Sequence, residues 1–345
     1  MKGNMPTRPV FSQRRRRGAL WRWLGVLALL VVAGVVGVSV YVGWSLSHAP
    51  RRPVDATPAA LGLAFEAVEF PATDGLVLRG WFLPAARAGT APVAPEGGVA
   101  EGAENVPAPS VTGGVSPYTI IFAHGFRSNR LERGVPALEL ARSFVNAGFN
   151  VLLFDFRNHG ESDGNVTTLG YHEVKDIYGA VRWLRETRPQ QAQRIGLIGF
   201  SMGAVTSILA AAGEPAIDAV VADSPFSDLR SYLQVNMPVW TGLPNVPFTW
   251  TIMALLPPLI DLDVDAVSPV AVMPTLRQPV LLVHTDGDRA IPVGESERLA
   301  VAGRPESTTL WVVRGDRHVG ARSVDPATYD ARVIEFFRTA FSAGE

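Results

Sequence analysis

The sequence predicts an α/β fold: a mostly parallel eight-stranded sheet with helices on both faces, preceded by one N-terminal transmembrane helix. Three observations predict it. From Tyr118 onward, continuous apolar strand-like runs alternate with helical patterns, as in a sheet covered on both faces. Trp23 to Leu46 is a run of 24 residues without a charge. And "RIGLIGFSMGAVTSILAAAG", Arg194 to Gly213, places a serine between two glycines where an apolar strand gives way to an alanine-rich helix.

Residues 1–52 carry nine Lys or Arg and no acid, which leaves 22 bases against 32 acids in the rest of the chain, a net of −10. A globular part that acidic argues against a nucleic-acid partner. Residues 1–22 are a basic end, and residues 23–46 follow as the membrane anchor. As a helix this run spans about 36 Å, enough for a hydrocarbon core with some tilt. Trp21, Trp23, Tyr41 and Trp44 stand near its ends, where an aromatic belt would lie. Seven bases precede it, so the positive-inside bias puts the N-terminus in the cytoplasm and the remainder across the membrane. A cleaved signal peptide is the rival, with "SHA" (Ser47 to Ala49) as the cut site, but the run is much longer than a usual signal core. The chain has no cysteine, which excludes disulfides, thiolate metal sites and a cysteine nucleophile.

Residues 47–60 read as a Pro/Ala tether, and residues 61–345 as one domain. "AFEAVEF" and "LVLRGWFLP" flank the turn signal "PATDG" and predict an antiparallel hairpin. Residues 85–117 are Ala/Gly/Pro-rich and nearly free of large apolar side chains, so a disordered insertion is expected there. Six more strand-like runs then alternate with helical ones: "YTIIFAH", "FNVLLFDF", "RIGLIGF", "AIDAVVADS", "PVLLVHTDGD" and "TTLWVV". Residues 226–275 break the rhythm with a Pro-, Trp- and Met-rich stretch, either a lid over a site or a crossover that merely packs.

Chemistry in open α/β sheets sits beyond the carboxyl ends of the strands. Ser201 stands there, on a G-x-S-x-G turn whose glycines would let strand and helix approach closely. The pattern alone turns up in roughly one chain in ten of this length. Its company matters more. His318 in "VVRGDRHVG" follows the final strand and would act as base, with His159 in "DFRNHGESDG" as competitor. Asp288 in "VLLVHTDGDRAIP" would orient the imidazole, with Asp286 and Asp223 as competitors. "FAHGF" can aim the backbone N–H of Phe126 at an oxyanion, with the N–H of Met202 as second donor.

The order Ser…Asp…His, each after a strand, resembles the α/β-hydrolase superfamily. "AHGF", "DFRNHGESDG", "GFSMG", "QPVLLVHTDGDRAIPV" and "GDRH" carry the resemblance, from about residue 62 to the C-terminus without the 85–117 insertion. The sequence looks most like single-domain, often membrane-anchored, serine-aminopeptidase-like hydrolases. The resemblance implies that Asp155 and Arg157 brace loops rather than react, and Thr285 departs from the glycine often found there. The expected function is a membrane-tethered serine hydrolase acting on a carboxylic ester, thioester or amide, with no metal or organic cofactor. An acyltransferase or peptidase with the same triad, or a non-catalytic binding protein on this scaffold, are the alternatives. The apolar 226–275 stretch hints at an acyl or lipid-like small-molecule substrate.

Overall fold

The structure, a computed structural model, describes residues 12–86 and 115–342. Of the expected insertion, residues 87–114 lie outside the described residues. Eight strands form one sheet: β1 (Glu66–Pro71), β2 (Val77–Leu83), β3 (Tyr118–Ala123), β4 (Asn150–Phe154), β5 (Arg194–Phe200), β6 (Ala219–Asp223), β7 (Val280–Thr285) and β8 (Thr308–Val313). Their spatial order is β1-β2-β4-β3-β5-β6-β7-β8. The pairs β1–β2 and β2–β4 are antiparallel and the rest parallel, so the sheet is mixed. The hairpin turns where Gly75 N–H donates to Ala72 O, with Gly75 at φ 91°; the Asp-Gly pair supplies that left-handed position cheaply.

The apolar runs that read as strands are buried because both faces of the sheet are covered. Successive residues face opposite sides. Ile120, Phe122, Val151 and Leu153 join one core, with Phe144 of α2 (Ala137–Asn146) and Tyr329, Val333, Phe337 and Phe341 of α10 (Pro326–Ser342). Ile121, Leu152 and Phe154 join the other, with Ile177 and Val181 of α3 (Val174–Thr187), Ile208 of α4 (Met202–Gly213) and Leu299 of α8 (Gly294–Ala302). The glycine inside the β5 run has a packing reason. A Cβ on Gly196 would lie 2.5 Å from the Phe337 ring, so the missing side chain makes the seat for that phenyl group. Short α9 (Ala321–Val324) follows the His318 loop.

The β6–β7 crossover holds the Pro- and Trp-rich stretch. It forms α5 (Leu229–Thr241), a turn at Asn245–Thr249, α6 (Trp250–Leu259) and α7 (Pro269–Val272). Asp228 caps α5 by accepting from Ser231 N–H at 2.9 Å, and Gly242 closes it at φ 68°. Phe226, Leu229, Tyr232, Leu233, Met237 and Ile252 give this segment its own small core.

The N-terminal helix α1 spans Ser12–Ser47, and its Leu20–Ser47 portion is long and apolar enough to cross a membrane. Most of that portion touches no protein. Its last turns do: Ser39, Gly43 and Ser47 are buried, and a Cβ on Gly43 would lie 3.0 Å from Leu256 and 3.4 Å from Ile252 of α6. Ser47 O accepts from Thr167 N–H at 2.9 Å, and Asn129 Nδ2 donates to Pro53 O at 2.9 Å. Arg133 pairs with Asp55. The segment read as a tether is thus laid along the domain, because its carbonyls and Asp55 find partners there.

Phe337 bridges β5 and α2, at the centre of one core. Phe337→Ala is expected to cost about 3–5 kcal/mol of unfolding free energy, read as a shift of the denaturant midpoint at unchanged slope. A change below about 1 kcal/mol would contradict the close packing described for Gly196 and this ring.

Candidate active site

The site begins with backbone geometry. Ser201, between β5 and α4, sits at φ 53° and ψ −116°, a conformation costing about 1–3 kcal/mol for a residue with a side chain. It is held there by the Ser201 N–H bond to Asp223 O at 2.8 Å. A Cβ on Gly199 would fall 2.3 Å from Gly203 O, and one on Gly203 would fall 2.0 Å from Ala123 O. Strand, elbow and helix can therefore meet this closely only because both positions lack a side chain. The turn aims the serine hydroxyl out of the sheet.

Three predicted residues meet at that hydroxyl. His318 Nε2 lies 2.9 Å from Ser201 Oγ, and His318 Nδ1 lies 2.7 Å from Asp288 Oδ2. The Asp288 partner fixes the proton on Nδ1 and leaves Nε2 as acceptor. Asp288 Oδ1 accepts from the Ala290 and Ile291 N–H groups at 2.8 and 3.0 Å. Buried His284 adds an Nε2 contact to Asp288 at 3.4 Å, and its own ring is held by Ser296 Oγ and Ile291 O. Burial opposes the charge on Asp288, but the hydrogen bonds from His284 and His318 outweigh it and hold the carboxyl well below the ordinary range.

The competitors are occupied elsewhere. Asp286 accepts from Gly315 N–H at 2.9 Å. Asp223 is fully buried and bonded by the Ser224 and Tyr329 hydroxyls, each at 2.9 Å. Burial pushes Asp223 up to about 6 despite those bonds. His159 donates from Nδ1 to Arg157 O at 2.8 Å and accepts Arg127 N–H at Nε2 at 3.2 Å, so both nitrogens are spent on backbone.

The "AHGF" loop lies against the elbow: a Cβ on Gly125 would be 3.5 Å from Ser201 Cβ. His124 pins this loop, with Nδ1 donating to Gly125 O at 2.8 Å and Nε2 accepting Phe156 N–H at 3.0 Å. Burial, then repulsion from His159, pushes His124 down to about 3, so it stays neutral and keeps both bonds. Glu132 holds the next link, accepting Gly125 N–H at 2.6 Å; burial raises its carboxyl pKa. Among the described residues, the N–H groups of Phe126 and Met202 donate to no protein acceptor. The Phe126 ring stacks on Trp240 of α5, with centroids 6.3 Å apart. The "DFR" pair braces loops: Asp155 takes Arg130, and Arg157 takes Asp176 at 2.6 Å and Asp74 at 2.9 Å. Thr285, where a glycine was the alternative, donates its hydroxyl to Arg317 O at 2.8 Å and so steadies the His318 loop.

Sequence reasoning missed His284, Glu132 and Trp240. His284 lies inside a strand and Glu132 in an irregular loop, so neither carries a spacing signal. Only the Trp content of 226–275 pointed toward Trp240.

Asp223 supplies a pH test. Its folded-state pKa of about 6 exceeds the ordinary 3.8, so the native state keeps a proton that the unfolded chain has released. This contribution to stability is present below about 4 and declines as pH rises to about 6, by about 3 kcal/mol in all. Asp223→Asn is expected to flatten the stability profile across that interval in denaturant titrations. An unchanged slope would contradict the burial argument.

The chain is similar to several known proteins. The family model described as X-Pro dipeptidyl-peptidase (S15 family) matches residues 93–255. The Bacillus subtilis protein YqkD is 31% identical over 229 residues, covering 64% of this chain and 71% of its own. YfhR of Escherichia coli K12 is 26% identical over 280 residues, covering 80% and 82%. Among solved structures, an esterase of Pyrococcus furiosus is similar with a TM-score of 0.64 and 27% identity, covering 84% of this chain and 98% of its own. An acylaminoacyl peptidase of Pyrococcus horikoshii shares the fold, with a TM-score of 0.57 and 16% identity over 80% of this chain and 42% of its own. The eight-stranded mixed sheet, the family-model match and these likenesses together identify the chain as a serine hydrolase belonging to the α/β-hydrolase superfamily.

Proposed function

We propose that the protein is a membrane-tethered serine hydrolase that cleaves a carboxylic ester, thioester or amide through an acyl-enzyme on Ser201. The relay from Ser201 Oγ to His318 Nε2 and from His318 Nδ1 to Asp288 carries this reading. Ser201 Oγ attacks the substrate carbonyl carbon while its proton passes to His318 Nε2. The Phe126 and Met202 N–H groups, the latter at the N-terminus of α4, receive the oxyanion. Collapse of the tetrahedral adduct breaks the bond to the leaving group, which takes the proton from His318. Water then attacks the acyl carbon and gives a proton to His318; collapse of this second adduct breaks the bond to Ser201 Oγ, which takes that proton from His318 Nε2, and the acid leaves. The charged Asp288 holds the imidazole tautomer and stabilises the imidazolium.

Nucleophile, base, acid and oxyanion donors for these steps are all groups of the chain itself. The S15 family match favours a second reading, a peptidase using the same three residues; the esterase likeness favours an ester. The anchor is α1, and the bases ahead of it favour a cytoplasmic N-terminus with the domain on the other side.

Full-length protein in detergent should be labelled by a fluorophosphonate probe, and Ser201→Ala should lose all labelling. Labelling that survives this substitution assigns the nucleophile elsewhere. Asp288→Asn should keep the fold but lower kcat on p-nitrophenyl esters by on the order of 10⁴-fold. Parallel assays on esters of increasing chain length and on a dipeptide amide separate the two readings. A catalytic-domain reporter active only outside the cytoplasm should be active when fused at the C-terminus.

A further inference from the structure

We propose that the surface of the β6–β7 crossover, residues 231–260, is seated in the lipid leaflet from which α1 emerges. This rests on α1 spanning the bilayer, and goes beyond it by assigning a second, independent membrane contact.

The thirty residues from Ser231 to Ile260 contain no Asp, Glu, Lys, Arg or His; Arg230 and Asp261 stand at the two borders. Many of them are at the surface. Val235, Val239, Val246, Trp250 and Leu259 are 59–72% exposed. Val235 and Val239 are one helical turn apart on α5, across the helix from buried Leu233 and Met237. A helix bordering water ordinarily carries charge on that face. A contiguous uncharged surface with large exposed apolar groups marks an interaction site.

The place of this surface relative to α1 selects the occupant. A hydrocarbon core of about 30 Å takes about 20 helical residues. Counted from Leu20, where the apolar portion begins, that length ends near Ser39; counted from Trp23, it ends near Val42. Ser39 and Gly43 are where α1 becomes buried, and Gly43 meets Ile252 and Leu256 of α6. Val42 and Leu46 join the core of the crossover itself. So α6 abuts α1 at the level where the anchor leaves the hydrocarbon. The turn at 245–249 also touches α1, and α5 packs on that turn. Exposed Tyr41 and Trp44 on α1 and Trp250 on α6 are the residue types of the membrane–water interface. The bilayer that α1 would span, at that height, is the surface these groups fit. From the same segment Trp240 stacks on Phe126, the residue proposed above as an oxyanion donor.

The chain has no native cysteine, so each introduced one is a unique label site. Val235→Cys, Val239→Cys and Trp250→Cys in the full-length chain carry an environment-sensitive fluorophore after reconstitution into phosphatidylcholine–phosphatidylglycerol vesicles. Val301→Cys on α8, 88% exposed, is the aqueous reference, and Val31→Cys on α1 reports the anchor. Iodide is present on both sides of the membrane. The crossover labels are expected to be shielded from iodide several-fold relative to Val301→Cys, and quenched by lipids spin-labelled near the glycerol level. Crossover labels as open to iodide as Val301→Cys, with Val31→Cys quenched by lipid, overturn the proposal and leave the anchor intact. Shielding from iodide without quenching by lipid means a second protein covers the surface, and also overturns it. A Val31→Cys label untouched by lipid quenchers overturns the anchor and this inference together.

Discussion

Everything at the site depends on one strained residue. Ser201 keeps φ 53° because Gly199 and Gly203 let β5, α4 and the end of β3 crowd into one place. A methyl group at either glycine would meet carbonyl oxygen at 2.3 Å or less. The elbow is over-determined by backbone contacts, which is how strain of about 1–3 kcal/mol persists in a folded protein. From this constraint follow the direction of the hydroxyl, the position of the α4 N-terminus beside it, and the gap that the Gly125 loop fills.

Two buried carboxylates near the elbow show how environment divides labour. Asp223 follows β6 and Asp288 follows β7, so chain position alone made both candidates. Asp223 receives two neutral hydroxyls, and burial keeps its pKa near 6. Asp288 receives two backbone N–H groups and two imidazoles, and its charge is stabilised in spite of burial. A partner for an imidazolium must be charged when the proton arrives, and only the second environment provides that. His284 contributes here without touching Ser201; it is a second imidazole on the same carboxylate.

The crossover ties the site to the N-terminal helix. Through Trp240 it meets Phe126 in the loop beside the elbow, and Tyr232 hydroxyl donates to Ala290 O at 2.9 Å beside Asp288. Through Ile252 and Leu256 it meets Gly43 of α1. One segment therefore links the two features that stood apart in the sequence, an apolar helix and the elbow serine.

Strand and helix identity, the hairpin, the elbow motif and the order Ser201, Asp288, His318 are local or periodic properties, legible along the chain because side-chain period and turn chemistry are set by near neighbours. The hydrogen bonds that occupy Asp223, Asp286 and His159 elsewhere, and the recruitment of His284, Glu132 and Trp240, are not. Each depends on which groups arrive from elements far away in sequence, and on how much water those elements exclude. The antiparallel pairing of β2 with β4, and the docking of α1 on α6, belong to the same class. Hydrogen-bond partners and burial are properties of the assembled fold, so only tertiary structure decided what stabilises the Asp288 charge and what keeps the competing side chains occupied.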